Sequence, residues 1–423
     1  MTLICALHRA GMASISLDQP QADFLNDNVI NALLTNAPIP GTATRMIPVD
    51  ESWFSGEMPS EIGPNLAPRA DPGTLCRLIM SSGTTGRPKI IALSYQAVGK
   101  RLISYSIRTS TPGWDRIVCM PGLSTNYGYS FAITTLWLGR TICFAFDATA
   151  RLLILTHRAE LLVASTQQIA EIVKGQEADF RRLESLRAVH IGGSVAYAPL
   201  LARIRMLICN MVYCGYGSTE GGTVAYAPSE TVFGMDRAVG FVAPWIEAEV
   251  VDEQKKPLNY GKSGVIRLRA IGQGYRYSRN DSGQYAIDDS DWFYPGDEGI
   301  IYRNGMMMII GRTNEIINRG GTKVSPDVIE ELIKKNPIVD DAAVVGVLDS
   351  VGIEQIWAAV VSNNSEIEID KMYKYIRDNA PIYVPDRIFQ LPEIPRNRLG
   401  KIAREVLKEK LKKLEENYAS TIR

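Results

Sequence analysis

From Thr74 to about residue 225, apolar segments typical of strands alternate with segments of helical periodicity. Examples are the strand patterns TLCRLIM, LRAVHI and NMVYCGYG and the helical pattern TQQIAEIVKG. KIIAL is a further strand, and Ser94 after it is a suitable N-cap for a helix that carries Val98, Leu102 and Tyr105 on one face. This alternation predicts α/β layers around a mostly parallel sheet.

The patterns on either side of this region differ from it. Residues 239–312 carry short strand patterns punctuated by glycine, typical of a small β unit. An α+β pattern follows, with a helix expected over 326–335 and an amphipathic packed helix from Ile402 to the end. At the start, LICALHRAG predicts a helix end before a strand, and residues 19–73 predict loops with one short helix over 27–34. The chain therefore begins inside a helix–strand unit.

Length and composition limit the function classes. A chain of 423 residues exceeds one ordinary core, so at least two domains are expected. Lys plus Arg and Asp plus Glu both number 46, so a nucleic-acid-binding surface is not indicated. No segment approaches the about 20 apolar residues of a membrane span, and no convincing signal peptide is present. Six cysteines without a C-x-x-C pair and three scattered histidines predict reduced thiols, a cytoplasmic location and no zinc site.

The segment SSGTTGRPK, residues 81–89, lies between two predicted strands. Backbone N–H groups of a glycine-rich turn, hydroxyls and a lysine together favour a polyphosphate over the alternative of a flexible surface turn. A Walker A loop is excluded, because its glycine spacing differs and a helix rather than a strand would follow. The candidate phosphate-binding residues are Ser81, Ser82, Gly83, Thr84, Thr85, Gly86 and Lys89.

This string resembles the phosphate loop of the adenylate-forming superfamily, which contains acyl-CoA and aryl-CoA synthetases, firefly-type luciferases and the adenylation domains of nonribosomal peptide synthetases. Further motifs follow along the chain in the order of that family. YGSTEGG is similar to its Y-G-x-T-E motif. The resemblance implies that Tyr216 lies near adenine, that Thr219 meets the α-phosphate and that Glu220 helps to hold Mg²⁺. HIGGSVAY resembles the segment beside the adenine base. The residues that these two motifs add to the ATP site are Gly192, Gly193, Ser194 and Gly217.

The next motifs resemble the ribose site, the hinge and the thiol channel of the family. WFYPGDEG implies that Asp297 accepts hydrogen bonds from the ribose hydroxyls, and GRTNEII implies that Arg312 reaches the ribose or a phosphate. Asn314 falls at the hinge, where the family usually has Asp or Lys. NRGGTKVSP resembles the segment that lines the thiol channel. Its candidate residues are Gly320, Gly321 and Lys323.

PRNRLGKIAR resembles the family motif that carries a catalytic lysine, here Lys401. A carboxylate that attacks a phosphate is repelled by its negative charge, and a cation between the two offsets that repulsion. The resemblance spans essentially the whole chain and implies two domains. They are a large adenylate-forming α/β domain over 1–312, which includes the small β unit, and a small mobile α+β domain over 313–423.

The function implied is that of an ATP-dependent acid–thiol ligase with ATP, Mg²⁺ and CoA, acting on a small carboxylic acid. A first alternative is an adenylation enzyme that loads a phosphopantetheinyl carrier protein. A second is a non-catalytic nucleotide-binding relative, which the complete set of motif residues disfavours.

Two departures from the family pattern affect these expectations. A longer N-terminal part usually precedes the first helix, so the chain is either a fragment or a short member. In PGLSTNYGYS, Thr125 stands where a histidine is common, and no aspartate for an amino group is evident. An acyl or aryl acid is therefore expected rather than an α-amino acid, with Asn126 and Tyr127 in the acyl pocket.

Overall fold

The structure is a computed structural model of the chain. It describes residues 1–10, 12–17, 32–35, 39–50, 71–81, 89–109, 113–147, 149–178, 183–193, 196, 198–232, 235, 237–279, 285–288, 292–313, 315, 317–319, 322–348, 354–362, 367–380, 383–397 and 400–421. These residues form two compact units. Unit 1 contains Met1–Gly113, Pro121–Ile142 and Ile271–Asp289, and unit 2 contains Trp114–Met120, Cys143–Ala270 and Ser290–Arg423.

Unit 1 is built on a five-stranded sheet in the order β1-β4-β5-β15-β16. Its strands are β1 (Ser14–Ile15), β4 (Leu75–Ser81), β5 (Lys89–Ser94), β15 (Tyr275–Arg279) and β16 (Tyr285–Asp288). β1 pairs parallel with β4, and the other neighbours pair antiparallel. Its helices are α1 (Thr2–Arg9), α2 (Tyr95–Thr109) and α3 (Asn126–Trp137).

The predicted start of α2 is confirmed. Ser94 Oγ accepts a hydrogen bond from the backbone N–H of Ala97 at 3.1 Å, as an N-cap should. Val98 and Tyr105 are buried, and Leu102 packs against the same core. The helical periodicity of this segment therefore identified its buried face correctly.

The short helix expected over 27–34 is wrong where the structure describes it. Ala32–Thr35 form a strand, β2, that pairs parallel with β3 (Arg45–Pro48). A short apolar run such as ALLT does not distinguish a helix from a strand, and pairing with β3, outside the run itself, decided the outcome. Residues 27–31 lie outside the described residues.

Unit 2 contains an eleven-stranded sheet in the order β13-β14-β17-β18-β12-β11-β10-β9-β8-β6-β7. These strands are β6 (Arg116–Cys119), β7 (Thr141–Phe144), β8 (Leu161–Ser165), β9 (Ala188–Gly192), β10 (Met211–Ser218), β11 (Gly222–Pro228), β12 (Ala238–Val242), β13 (Ile246–Val251), β14 (Ser263–Ala270), β17 (Asp297–Ile301) and β18 (Met306–Arg312). Strands β6, β8, β9 and β10 pair parallel, as the alternating pattern predicted. The small β unit continues the same sheet in antiparallel fashion through β11 and β12.

The parallel part of this sheet is packed against α4 (Thr149–His157), α5 (Thr166–Ala178) and α6 (Ala198–Leu207). Strand β8 is apolar along most of its length, because a parallel strand is covered on both faces. Leu162 and Val189 are fully buried and belong to the same core cluster as Ile169 of α5. This packing fixes the strand ends that carry the candidate site.

The small C-terminal domain is α+β, as predicted. Its described residues form a hairpin, a three-stranded sheet and three helices. These are β19 (Ile317–Arg319), β20 (Thr322–Val324), α7 (Pro326–Lys334), β21 (Asp341–Leu348), β22 (Glu354–Val361), α8 (Ile369–Asn379), β23 (Arg387–Gln390) and α9 (Arg404–Thr421). Leu407 and Leu411 of α9 are fully buried against the sheet, so the expected packed terminal helix is confirmed.

Within the described part of the chain, no helix combines the length and the apolar character that crossing a membrane requires.

Candidate active site

Asp297 and Arg312 form the centre of the candidate site in unit 2. Asp297 begins β17 and Arg312 ends β18, and the two residues are direct partners in the antiparallel register. Arg312 Nε lies 3.0 Å from Asp297 Oδ1, and the Arg312 Nη1 group donates to the carbonyl oxygen of Pro295 at 2.7 Å. The side chain of Asp297 is only 5% exposed. The charged guanidinium of Arg312 compensates this buried carboxylate and holds it in place.

Tyr216, on β10, is the second partner of this carboxylate. Its hydroxyl donates a short hydrogen bond to Asp297 Oδ2. Burial raises the pKa of Asp297, while the charge of Arg312 and the hydrogen bond from Tyr216 oppose the rise. The pKa of Tyr216 lies well above its usual value because of burial and the adjacent Asp297. The phenol therefore stays protonated and remains a hydrogen-bond donor.

The turn that joins β10 to β11 carries Thr219 and Glu220. The hairpin closes tightly, since a Cβ on Gly217 would overlap the carbonyl oxygen of Gly222 on the opposite strand. Both site residues of this turn are partly buried. The negative charge of Glu220 contributes to the raised pKa of Tyr216, which places the carboxylate within electrostatic range of the Asp297 group.

Lys401 lies on a short hairpin that precedes α9. Its backbone N–H donates to Asn397 Oδ1 at 3.0 Å, and its carbonyl oxygen accepts from the Asn397 N–H at 2.8 Å. Burial and the charge of Arg312 lower the pKa of Lys401, and Asp297 and Glu315 oppose that shift. The structure thus brings Lys401 into the electrostatic field of the Asp297–Arg312 pair.

Arg404 anchors the segment that follows Lys401. Its guanidinium pairs with three carboxylates and also donates to the carbonyl oxygen of Val344 at 2.8 Å. The carboxylate partners are Glu315 at 2.7 Å, Asp327 at 2.8 Å and Glu330 at a shorter distance. Burial alone would lower the pKa of Arg404, but the carboxylates raise it above its usual value. Arg404 therefore ties Glu315, the residue after the predicted hinge Asn314, to α7 and β21.

Other predicted residues of unit 2 are placed only in part. Gly192 ends β9, and Gly193 follows with a φ of +91°. Lys323 lies on β20 opposite Asn318, and its side chain is outside the described part of the structure. Four predicted residues lie outside the described residues altogether. They are Ser194, Asn314, Gly320 and Gly321.

Unit 1 carries the remaining predicted residues. Ser81 ends β4 and Lys89 begins β5, and the two are register partners, so two strands flank the candidate phosphate loop and the predicted strand–loop–strand order is confirmed. Residues 82–88 of that loop, with Ser82, Gly83, Thr84, Thr85 and Gly86, lie outside the described residues. The strand–loop–strand setting agrees with the exclusion of a Walker A loop.

The predicted acyl-pocket residues begin α3. Thr125 caps this helix by accepting a hydrogen bond from the Gly128 N–H at 3.0 Å. Asn126 Oδ1 accepts a hydrogen bond at 2.8 Å from Arg101, which is buried. The ring of Tyr127 packs edge-on against Phe131. Sequence reasoning did not identify Arg101 as the partner of Asn126, because the pattern of α2 shows only that one face is buried.

Comparison with known proteins agrees with this arrangement. The family model for AMP-binding enzyme matches residues 11–276, and that for AMP-binding enzyme C-terminal domain matches residues 328–401. The chain belongs to the AMP-binding enzyme family. The resemblance inferred from the motifs is thereby confirmed.

Two relatives illustrate the range of this AMP-binding enzyme family. Pyochelin synthase PchD of Pseudomonas aeruginosa is 27% identical and matches 79% of this chain and 63% of its own length. 4-Coumarate-CoA ligase 1 of Narcissus pseudonarcissus is 29% identical and matches 81% of this chain and 66% of its own length. The chain thus spans about two thirds of the length of these relatives.

A solved structure shows the same fold. O-succinylbenzoate coenzyme A synthetase (MenE) of Bacillus subtilis, in complex with ATP and magnesium ion, superimposes with a TM-score of 0.81 at 22% identity. The match covers 96% of this chain and 86% of the other. The predicted α/β fold with a small C-terminal domain is therefore confirmed.

Proposed function

We propose that the protein is an ATP-dependent acid–thiol ligase of the acyl-CoA or aryl-CoA synthetase type. The observation that carries the proposal is the position of Lys401 in the field of Asp297 and Arg312, with Tyr216 bonded to the same carboxylate. A buried carboxylate with two fixed donors suits a ribose, and a nearby cation suits the reacting phosphate. Membership in the AMP-binding enzyme family supports this assignment.

In the first half-reaction, a carboxylate oxygen of the acid attacks the α-phosphorus of ATP. A new P–O bond forms, and the bond from phosphorus to the bridging oxygen breaks, so that pyrophosphate leaves with that electron pair. The ammonium of Lys401 offsets the repulsion between the attacking carboxylate and the phosphate. Thr219 supplies a hydroxyl to the α-phosphate, and the loop over 81–89, with Lys89, holds the β- and γ-phosphates.

Asp297 binds the ribose in this proposal. Each carboxylate oxygen has two lone pairs, and the contacts with Arg312 and Tyr216 use one on each oxygen. One acceptor site per oxygen remains, which matches the two hydroxyls of a ribose. The ring of Tyr216 and the backbone at Gly192, Gly193 and Gly217 then flank the base, together with Ser194.

Glu220 is the protein group that would hold Mg²⁺. Glu220 follows Thr219 on the turn that joins β10 to β11, and hard oxygen donors of this kind suit the ion. Magnesium supplies charge neutralisation of the phosphates when bound. The contribution of the chain is the hairpin of β10 and β11, whose close approach at Gly217 and Gly222 carries the turn with Glu220.

In the second half-reaction, a thiolate attacks the acyl carbonyl carbon, and AMP leaves. We expect the small domain over 313–423 to turn about Asn314 relative to the domain over 1–312, so that Gly320, Gly321 and Lys323 line the thiol channel. CoA is the expected acceptor. The chain is also similar to pyochelin synthase PchD, which is named as a synthase and not as a CoA ligase. A phosphopantetheinyl carrier protein is therefore tested as a second acceptor. In the cytoplasm, which is the location expected for this protein, both CoA and carrier proteins are present as acceptors.

The acid is expected to be an acyl or aryl acid. Asn126 has a carboxamide oxygen committed to Arg101, so it shapes the pocket more readily than it binds an ammonium group. An α-amino acid requires a carboxylate for its ammonium, and none was evident in the segment around Asn126. Tyr127 adds an aromatic surface to the same helix end.

The test is ATP–pyrophosphate exchange over a panel of aliphatic, aromatic and amino acids, with hydroxylamine trapping of the acyl-adenylate. We expect exchange with at least one acyl or aryl acid and transfer to CoA. Transfer to a carrier protein but not to CoA would select the first alternative. Absence of exchange with every acid, together with ATP binding, would select the non-catalytic relative.

A further inference from the structure

The first turn of α5 is fixed at its start by a capping box. Ser165 Oγ accepts a hydrogen bond from the Gln168 N–H at 3.2 Å, and Gln168 Oε1 accepts from the Ser165 N–H at 2.9 Å. Gln168 Nε2 also donates to the carbonyl oxygen of Met120 at 3.0 Å, which ties the turn to the end of β6. Gln167, between these residues, is therefore carried on a firmly held backbone.

The side chain of Gln167 lies against Gly400, the residue before Lys401. A Cβ on Gly400 would overlap Gln167 Oε1 and would lie 2.9 Å from its Cδ and 3.3 Å from its Cβ. The space that a side chain at position 400 would occupy is thus filled by Gln167. Gly400 also has a φ of +77°, which favours glycine.

The Lys401 hairpin is held on its other side by ion pairs within the small domain. Arg396 donates to the carbonyl oxygen of Gly400 at 2.8 Å and pairs with Asp341 at 2.6 Å. The hairpin therefore moves with the small domain, whereas Gln167 belongs to the large sheet and its helices. The Gln167–Gly400 contact joins these two parts next to Lys401.

We propose that Gln167 is a positioning residue for Lys401. The side chain at position 167 is the surface against which position 400 stops, so that the lysine ammonium reaches the Asp297–Arg312 pair when the two positions are in contact without overlap. This inference deepens the proposed function and rests on it. A displacement of about 1 Å at a reacting group is enough to cost roughly 100-fold in rate, so the contact has a kinetic consequence.

The steric part of the proposal is tested with Gly400→Ala. We expect the exchange rate of Gly400→Ala to be about 100-fold below that of the unmodified enzyme. Adding Gln167→Ala to the same chain should raise this lowered rate at least about tenfold. Gly261→Ala is the matched control, because Gly261 has a φ of +81° and no neighbour within 4 Å of an added Cβ. This control carries the backbone strain alone and should retain its activity. Failure of Gln167→Ala to restore exchange would overturn the proposal, as would equal activity of Gly400→Ala and Gly261→Ala.

A second test does not depend on the acid. The 3.3 Å separation between Gln167 Cβ and a Cβ at position 400 is close to the about 3.8 Å typical of disulfides. We expect a chain with both Gln167→Cys and Gly400→Cys to form a disulfide when diamide accepts the two thiol hydrogens, as seen by mass after thiol alkylation. The two single variants control for the six native cysteines.

The cross-linked enzyme is expected to retain acid-dependent exchange and to lose acyl transfer to CoA, with dithiothreitol restoring transfer. Absence of the specific cross-link would overturn the inference. Formation of the cross-link in a protein that exchanges with no acid would support the Gln167–Gly400 contact and reject the proposed function, so the two failures are distinguishable.

Discussion

Arg404 Nε lies 2.7 Å from Glu315 Oε2, so Glu315, which follows the proposed hinge Asn314, is bound to the start of the terminal helix. The same guanidinium, 14% exposed, also pairs with Asp327 and Glu330. Glu330 Oε1 in turn accepts a hydrogen bond from the Val344 N–H at 2.8 Å. One arginine therefore connects four segments of the small domain.

Replacement Arg404→Leu is expected to destabilise the small domain by about 3–5 kcal/mol, because it leaves partly buried carboxylates without their cation. The measurement is urea unfolding followed by intrinsic fluorescence. Arg387→Leu is the matched control, since the Arg387–Glu415 pair is exposed (52% and 34%) and worth about 0–1 kcal/mol. Equal shifts of the unfolding midpoint in both variants would contradict this prediction.

Lys401→Ala is expected to lower acid-dependent pyrophosphate exchange by about 100-fold or more while MgATP binding is largely retained, because the ammonium acts on the reacting phosphate. Exchange kinetics and calorimetric titration with MgATP measure the two effects. Lys412→Ala, on the exposed part of α9, serves as the control. Unchanged exchange in Lys401→Ala would remove its proposed role.

The lowered pKa of Lys401 predicts an alkaline limit to activity. The lysine acts while protonated, so exchange should fall as the pH rises through its pKa, at a lower pH than an unperturbed lysine would give. In Lys401→Arg, the guanidinium stays charged and the alkaline fall should disappear, even if the rate is reduced. A rate–pH profile of both proteins decides the matter; an identical fall in both would assign it to another group.

The raised pKa of Asp297 predicts that the KM for ATP increases on acidification, beginning at a higher pH than for an ordinary aspartate. Protonation removes the charge that pairs with Arg312 and acceptor capacity for the ribose. Tyr216→Phe removes a hydrogen bond that lowers this pKa, so the increase in KM should begin at a still higher pH. Tyr213→Phe is the control on the same strand, because the Tyr213 hydroxyl donates to Met211 Sδ at 3.4 Å.

Steady-state KM values for ATP measured across the acid range test this prediction. A KM that changes at the same pH in Tyr216→Phe, Tyr213→Phe and the unmodified enzyme would refute the linkage between Tyr216 and Asp297.

Local patterns were enough to predict many elements. The cap at Ser94 and the apolar stripe of α9 each depend on residues within a few positions of one another. Continuation of the main sheet into the small β unit was not predictable, because it depends on pairing between β12 and β18, which are far apart in sequence. The strand at Ala32–Thr35 was missed because four apolar residues fit a helix or a strand equally well, and its pairing with Arg45–Pro48 is not visible in the run itself.

The candidate site divides in a similar way. Asp297, Arg312 and Lys401 could be proposed from the sequence because each lies in a motif with its own signature, and the structure places Asp297 and Arg312 as a pair. Glu315 and Gln167 were missed, because each matters through a partner that only the folded chain brings close. The S-x-x-Q spacing over 165–168 would have located the start of α5, although nothing in it indicates contact with Gly400.

The register of β17 and β18 links nucleotide affinity to correct folding. Asp297 and Arg312 share a face only because they are direct partners, and a slip of one residue would turn one of them to the opposite side of the sheet. A nucleotide held by this pair would bind chains in which β17 and β18 are paired in the correct register, and it would not bind chains paired in a shifted register. By mass action, it would then favour correctly paired chains during refolding, and the substrate would act as a folding aid for its own site.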